Sequence, residues 1–336
     1  MDAGLIIAIL LAVAFAATNG FHDASNSIAT LVATRAARPG QALALAAAFN
    51  LLGPLLVGAA VADTIGGLLE VSPAVATEVI AAGLAAAIAW NVVTWGLGLP
   101  SSSGHALVGG LVGAGLAEGG LQAINWGGMD GLHPVGVAGS LIVLAISPLL
   151  GVLGGMLAVR ALRRIARHGT RRWRGPIDGG QWTMSAALSF SHGANDAQKS
   201  VGVIAALLLA AGETETLSAP TWVTVACAAA LTAGTALGGW RIIRTVGRGI
   251  YRIQPIEGLA SQTASSSVIL GASLLGGPTS TSQVVASSVV GIGAGRGRLR
   301  HVRWAVVRQM GIAWVLTIPA TALLAATTLA AWRLLA

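Results

Sequence analysis

Two aspartates lie in the middle of apolar stretches of this 336-residue chain. Asp23 belongs to TNGFHDASNSIAT, which follows the apolar run AGLIIAILLAVAFAA, and Asp196 belongs to SFSHGANDAQKSVGVIAALLLA. A carboxylate in a membrane helix is costly unless it faces a cavity or a partner, so such residues usually mark a substrate or ion path. Both aspartates are therefore candidate coupling-ion residues. The alternative is a buried, hydrogen-bonded carboxylate that only joins helices.

Two hydroxyl-rich motifs, PSSSGH and PTSTSQ, each begin with a proline inside an apolar region. Because proline interrupts a helix, each motif is predicted to be the tip of a re-entrant hairpin or the start of a half-helix. A helix N-terminus offers free N–H groups and a positive dipole end, and hydroxyls add donors, which together suit a tetrahedral oxyanion. Close packing of small residues is the alternative. The predicted anion-binding hydroxyls are Ser101, Ser102, Ser103, Thr279, Ser280 and Thr281.

Amide and basic side chains accompany the aspartates. Lys199, the only lysine, follows Asp196 by three residues, so it either neutralises that carboxylate or helps to hold an anion. Asn26 has the corresponding place after Asp23, which makes Asp23 the better candidate for a cation or proton site. The oxygens of Asn19 and Asn26 extend the predicted cation site, and Asn195 joins Lys199 in the predicted anion site. An anion bound with cations indicates coupled symport.

Three histidines lie within these motifs, namely His22, His105 and His192. Each either shuttles protons or is a neutral hydrogen-bonding residue. No HExxH-like spacing occurs, so the sequence predicts no metal site. Glu257, at the start of an apolar segment, is predicted to neutralise a nearby arginine or to line an inner gate. An intramembrane hydrolase, with Ser103 as nucleophile and His105 or His22 as base, is a remote alternative.

The composition indicates a polytopic helical membrane protein. The chain is 54% hydrophobic and 10% charged, whereas soluble domains are about one quarter charged. The arginines cluster at the ends of apolar runs, which is typical of cytoplasmic loops and argues against nucleic-acid binding, despite the net charge of +8. Both termini are then predicted to lie outside. Ten apolar segments are predicted, at 4–34, 41–62, 74–98, 104–119, 135–159, 183–211, 221–243, 257–275, 283–295 and 303–332.

The two pairs of motifs also indicate an internal repeat. TNGFHDASNS aligns with SHGANDAQKS, and LPSSSGHALVGGLVGAG aligns with GPTSTSQVVASSVVGIG, in the same order. Each copy holds five segments, and an odd number requires the second copy to enter the membrane inverted, as in many secondary transporters. The predicted fold is an all-α membrane protein with two inverted repeats, residues 1–159 and 183–336, joined by an arginine-rich cytoplasmic linker, residues 160–182. Such repeats predict alternating access around one site.

These motifs resemble those of the PiT family of inorganic phosphate transporters. The resemblance extends from NGFHDASNSIAT to VRWAVVRQMGIAWVLTIPATALL and covers nearly the whole chain. It implies symport of phosphate with Na⁺ or H⁺ and a homodimer in the cell inner (plasma) membrane. It also implies that the signature positions are Asp23, Asn26, Asn195 and Asp196, and that Ser101 to Ser103 and Thr279 to Thr281 are phosphate-contacting hairpin tips.

Several positions depart from the family pattern. Position 22 is histidine, position 199 is lysine instead of a second asparagine, and Gln283 stands where a histidine is expected. His22 and Lys199 resemble the shorter bacterial branch, which is associated with proton-coupled uptake, sometimes of metal–phosphate complexes. The short arginine-rich linker replaces the long cytoplasmic loop of larger family members. Sulfate permeases have similar sequences, so sulfate or another oxyanion is the alternative substrate, and an anion channel is a further one. No protein-bound cofactor is predicted; the expected partners are phosphate, Na⁺ or H⁺, the lipid bilayer and a second copy.

Overall fold

The computed structural model describes residues 2–99, 101–168, 173–237, 250–251 and 253–335. Pro100 and the arginines of the 241–252 cluster lie outside these residues. The helices of the described part are α1 Ala3–Ala33, α2 Pro39–Leu56, α3 Ala60–Gly66, α4 Pro73–Gly96, α5 Ser103–Gly119, α6 Gly136–Ile165, α7 Arg174–Ala210, α8 Thr221–Leu237, α9 Pro255–Leu274, α10 Thr281–Gly295 and α11 Trp304–Leu335. A short antiparallel hairpin, β1 Gly128–Asp130 and β2 His133–Val135, precedes α6.

Each of the ten predicted segments contains a helix, and the described helices α1, α2, α4, α6 and α11 are long and apolar enough to cross a membrane. The prediction of one continuous segment at 41–62 is wrong in one respect, because the helix is interrupted between α2 and α3. The Gln198 side chain satisfies the backbone at this break: it accepts from the N–H of Val61 at 3.0 Å and donates to the carbonyl of Val57 at 3.4 Å. A polar side chain from α7 thus permits the irregular backbone.

The predicted linker 160–182 is partly helical. α6 continues to Ile165, and α7 begins at Arg174, earlier than the predicted start at 183. α7 has 37 residues, and its central stretch from Ser189 to Ser200 is polar and, apart from Phe190, buried. The apolar residues of these segments predicted that the two helices exist. The polar residues at the C-terminal end of α6 and at the N-terminal end of α7 hid the positions of these ends.

Helices of the two halves pack against each other in an exchanged pattern. α1 packs on α8 while α2 packs on α7, and α5 packs on α11 while α6 packs on α10. Glycines permit two of these contacts: a Cβ on Gly20 would lie 2.1 Å from the carbonyl oxygen of Leu231, and one on Gly193 would lie 2.2 Å from that of Asn50. Small residues allow such close helix approach in membrane proteins. Gly20 and Gly193 are also partners in the repeat alignment.

Two helix pairs bring the hydroxyl motifs into the interior. α4 packs on α5, and α9 packs on α10. The described residues between them, 97–99 with 101–102 and 275–280, are not helical. Ser102 caps the N-terminus of α5, where its hydroxyl accepts from the N–H of His105, and Ser280 caps α10 by accepting from the N–H of Gln283. These caps explain why both helices begin within the motif.

Candidate functional site

The first cluster surrounds Asp23 on α1. The hydroxyl oxygen of Ser103 lies 2.5 Å from Oδ2 of Asp23 and 2.8 Å from Oδ1 of Asn19. The side-chain amide of Asn26 donates to Oδ1 of Asp23 at 2.9 Å. The structure therefore brings three side chains of one face of α1 together with the first residue of α5. The result is a group of carboxylate, amide and hydroxyl oxygens, the ligand type that hard cations prefer.

His22 links this cluster to the break before α5. Its Nδ1 lies 3.3 Å from Oδ1 of Asp23, and its Nε2 lies 3.1 Å from the hydroxyls of both Thr94 and Ser101. The two hydroxyls are 2.9 Å apart. The imidazole thus joins α1 to the last turn of α4 and to the hydroxyl motif.

The second cluster surrounds Asp196 on α7. Lys199 forms a hydrogen-bonded ion pair with Oδ1 of Asp196 and donates to the carbonyl of Thr279 at 2.7 Å. Nε2 of His192 lies 2.9 Å from Oδ2, and the hydroxyl of Thr281 donates to Oδ2 at 3.2 Å. Thr281 begins α10 as Ser103 begins α5. The two clusters therefore share one arrangement, a carboxylate facing the hydroxyl of the first residue of a helix.

Asn195 has the role in the second cluster that His22 has in the first. Its amide donates to the hydroxyl of Ser273 at 2.9 Å and to the carbonyl of Gly277 at 3.0 Å, and its oxygen accepts from the N–H of Thr279 at 3.1 Å. Asn195 therefore joins α7 to residues on both sides of the break before α10.

Two contributing residues were absent from the sequence prediction. Thr94 and Ser273 both lie in the last turns of the helices that precede the breaks, and each bonds to the residue before an aspartate. Their common signal was a hydroxyl shortly before each proline–hydroxyl motif. That signal is weak because threonine and serine are also common elsewhere in these helices.

The two hydroxyl motifs meet. The hydroxyl of Ser282 donates to the carbonyl of Ser101 at 2.8 Å, across the two halves. A Cβ on Gly104 would lie 3.2 Å from Nζ of Lys199, so the ammonium reaches the first turn of α5 as well as the residue before α10. The N-termini of α5 and α10, with their positive dipole ends, thus lie near one fixed cation.

Burial distinguishes this site from a polar surface. All the predicted site residues are buried, and the most exposed of them is His105 at 8%. Within the described residues, several buried polar atoms near the clusters have no hydrogen-bond partner, among them Nδ2 of Asn19, Oδ1 of Asn26 and Oγ1 of Thr279. Buried polar groups are normally paired, so unpaired ones beside two carboxylates suit a place where a ligand binds.

The bonding of Ser103 and His105 contradicts the hydrolase alternative. Ser103 donates towards Asp23 and Asn19, whereas Nδ1 of His105 lies 2.7 Å from the hydroxyl of Ser102. His22 contacts Ser101 and Thr94 instead of Ser103. A nucleophilic serine needs its base within hydrogen-bond reach, and neither histidine has that contact.

Glu257 lies apart from both clusters. It forms an ion pair with Arg296 and accepts from the N–H of Gln254 at 2.8 Å at the start of α9. The adjacent Gly258 packs against Gln181, which also bonds to Thr34 just beyond the end of α1. Of the two predicted roles, the structure shows the neutralisation of an arginine.

Comparison with known proteins gives a consistent result. The model of the phosphate transporter family matches residues 19–177 and 166–325. A probable low-affinity inorganic phosphate transporter of Rhizobium meliloti is 40% identical over 97% of both chains, and one of Bacillus subtilis is 38% identical over 97% of both. A protein of the same description from Mycobacterium bovis is 41% identical over 96% of this chain and 76% of its own.

A solved structure has the same fold. It is described as a sodium-dependent phosphate transporter, superposes with a TM-score of 0.86, and is 24% identical, with 100% of both chains covered. At this identity the likeness concerns the fold alone. These proteins are all described as transporters and none as an enzyme.

Proposed function

This chain belongs to the phosphate transporter family, and we propose that it carries inorganic phosphate across the cytoplasmic membrane together with a cation, either Na⁺ or H⁺. One observation carries the proposal: two buried carboxylates each face the hydroxyl that begins a helix, Asp23 with Ser103 and Asp196 with Thr281. Such a pair of clusters combines groups for a cation with groups for an anion. The descriptions of the relatives supply the identity of the anion.

The phosphate site is proposed to lie between the N-termini of α5 and α10. Several groups that can bind an anion lie at or next to these N-termini: the hydroxyls of Ser101 to Ser103 and of Thr279 to Thr281, the amide of Asn195 and the ammonium of Lys199. Backbone N–H groups at a helix N-terminus and a fixed positive charge both favour an oxyanion. The contact between Ser282 and Ser101 supports one shared site in place of two separate ones.

The cation site is proposed at Asp23, with Asn19 and Asn26 as further ligands. These residues offer oxygens that suit Na⁺, and the carboxylate alone could take a proton. Asp196 is the corresponding carboxylate of the other half. In the part of the chain that the structure describes, Lys199 and His192 both contact it.

Alternating access between two inverted repeats is proposed as the transport mechanism. The exchanged packing of α1 with α8 and of α2 with α7 supports two related halves, and an odd number of segments in each half requires the inversion. Both termini would lie outside the cytoplasmic membrane, with the arginine-rich linker inside. A homodimer is part of the same proposal and rests on family resemblance.

Phosphate is favoured over sulfate, the alternative oxyanion, by the carboxylates at the site. Phosphate keeps at least one O–H group near neutral pH, whereas sulfate offers only acceptor oxygens. A carboxylate such as that of Asp23 can accept a hydrogen bond from phosphate and would repel sulfate. This difference is the usual way in which a buried acceptor selects a ligand that has a donor.

Reconstituted transport tests the proposal. Purified protein in proteoliposomes should accumulate radiolabelled phosphate when a Na⁺ or H⁺ gradient is imposed, and sulfate only weakly. Comparison of the two gradients identifies the coupling cation. Phosphate flux that is independent of both cation gradients would indicate a channel. Preferential uptake of sulfate would show that phosphate is not the preferred substrate.

A further inference from the structure

The two halves differ at two corresponding positions next to the aspartates. The alignment of TNGFHDASNS with SHGANDAQKS places His192 on Asn19 and Lys199 on Asn26. Each amide of the first half is thus replaced by a basic side chain in the second. In both halves the carboxylate faces the hydroxyl that begins a helix. The surroundings of Asp196 differ from those of Asp23 through these two replacements and through Asn195, which stands where the first half has His22.

Around Asp23, the first half keeps oxygens available. Oδ1 of Asn26 has no hydrogen-bond partner among the described residues, and Oδ1 of Asn19 points to the same hydroxyl of Ser103 as the carboxylate does. The titratable group that faces Asp23 is His22, at 3.3 Å. Amide and hydroxyl oxygens ligate metal ions and do not take up protons near neutral pH, so this set suits Na⁺ more than H⁺.

Around Asp196, a nitrogen atom of a basic side chain lies close to each carboxylate oxygen. Lys199 contacts Oδ1, and Nε2 of His192 lies 2.9 Å from Oδ2. Lys199 is 1% exposed, and it also bonds to the carbonyl of Thr279. A carbonyl and a carboxylate oxygen are the ligands that a bound metal cation would otherwise use. The ammonium therefore occupies the place of an ion.

We propose that the ammonium of Lys199 permanently replaces a second coupling cation, so that each transport cycle uses one Na⁺, held at Asp23. This inference rests on the proposed function and specifies its coupling. A buried carboxylate needs a compensating charge, which is either a carried ion or a fixed side chain. Because a fixed side chain is not carried, it lowers the number of cations moved with each phosphate by one. Lys199 is thus a determinant of stoichiometry.

Counting bound ²²Na⁺ on purified protein in lipid nanodiscs, at saturating Na⁺ and phosphate, tests this inference. The wild type should bind one Na⁺ per protomer. The double variant His192→Asn with Lys199→Asn copies the oxygen set of the first half and should bind two. Lys199→Arg, which keeps the fixed charge, is the matched control and should bind one. An unchanged count in the double variant, with phosphate still bound, would overturn the inference.

If the double variant does not fold, the number of Na⁺ ions bound per wild-type protomer tests the inference. One Na⁺ per protomer supports a single ion site, whereas two or none contradicts it. Failure of the proposed function is visible separately, as absent phosphate uptake by the wild type in proteoliposomes. The two measurements therefore distinguish a wrong transporter assignment from a wrong number of ions.

Discussion

At the scale of single residues, the two aspartates have different partners although they occupy equivalent positions. Asp23 is surrounded by neutral donors, Ser103 and Asn26, with His22 at 3.3 Å. Asp196 is paired with Lys199 and contacts His192 and Thr281. Both charges are proposed to serve transport. Removing the charge of Asp196 should nevertheless affect protein stability differently from removing the charge of Asp23.

Asp23→Asn is expected to abolish cation-driven phosphate uptake while the protein stays folded. In asparagine one carboxylate oxygen becomes an NH₂ group, so the hydrogen bond accepted by that oxygen is lost together with the charge that holds the cation. Loss of a hydrogen bond to a charged group costs roughly 1.5–3 kcal/mol, which corresponds to a decrease in uptake of about tenfold or more. Radiolabelled uptake in proteoliposomes measures this. Asp130→Asn, at an exposed position in β1, is the control and should transport normally.

Asp196→Asn should also abolish uptake and should additionally lower stability. The substitution leaves Lys199 buried without its carboxylate, and breaking a buried ion pair costs about 3–5 kcal/mol. Thermal unfolding in detergent should show a lower midpoint for Asp196→Asn than for Asp23→Asn. Equal midpoints would contradict the different charge balance of the two clusters, and normal uptake by both variants would contradict the site itself.

At the scale of the elements, glycines set how closely the halves approach. A Cβ on Gly113 of α5 would lie 2.2 Å from the carbonyl oxygen of Ala322 in α11. A Cβ on Gly291 of α10 would lie 2.0 Å from that of Val152 in α6. These glycines are partners in the repeat alignment, so both halves use the same residue type at the same contact. The helices that begin with the hydroxyl motifs are fixed in place by these contacts.

Gly113→Ala and Gly291→Ala are each expected to destabilise the protein. The added methyl group meets backbone, which can move only with its helix, and overpacking typically costs 1–3 kcal/mol. Gly311→Ala in α11 is the matched control, because nothing lies within 4 Å of its Cβ. That variant should gain about 0.5–1 kcal/mol from lower backbone entropy in the unfolded chain. Thermal unfolding of the three variants measures the difference, and similar midpoints would contradict the packing argument.

At the scale of the whole molecule, ion pairs join the open ends of the two hairpins that carry the hydroxyl motifs. Arg296, which follows α10, pairs with Glu257 of α9. Arg333 of α11 pairs with Glu118 of α5 and lies 4.0 Å from Glu78 of α4. If the repeats are inverted, these two groups of charges lie on opposite sides of the membrane. The side of the membrane on which each group of charges lies therefore reports the orientation of the chain.

Cysteine labelling tests that orientation. Cys227 is buried, and its replacement by alanine provides a background without other cysteines. Glu215 and Arg163 are exposed, and they are predicted to lie outside and inside, respectively. A membrane-impermeant maleimide should label Glu215→Cys in intact cells, and Arg163→Cys only after permeabilisation. The opposite result would reverse the predicted topology.

The amino-acid pattern alone predicts the class of fold and the residue types of the candidate site. Apolar runs of about 20 residues predict membrane helices because the bilayer leaves the backbone no other partner. Polar residues are costly there, so Asp23, Asp196 and the two hydroxyl motifs were conspicuous within those runs. Repetition of the same polar pattern in the same order predicted two related halves. None of these inferences requires knowing which helix touches which.

Which side chains meet at the candidate site follows from the packing of the helices in three dimensions. Ser103 meets Asp23, Thr281 meets Asp196, and Ser282 of one half bonds to Ser101 of the other. The structure also shows that Thr94 and Ser273 complete the clusters, and that Gln198 supports the break between α2 and α3. These contacts join residues far apart in the chain. Hydropathy and spacing define the faces of a helix, but the partner across a helix contact depends on how all the helices pack together.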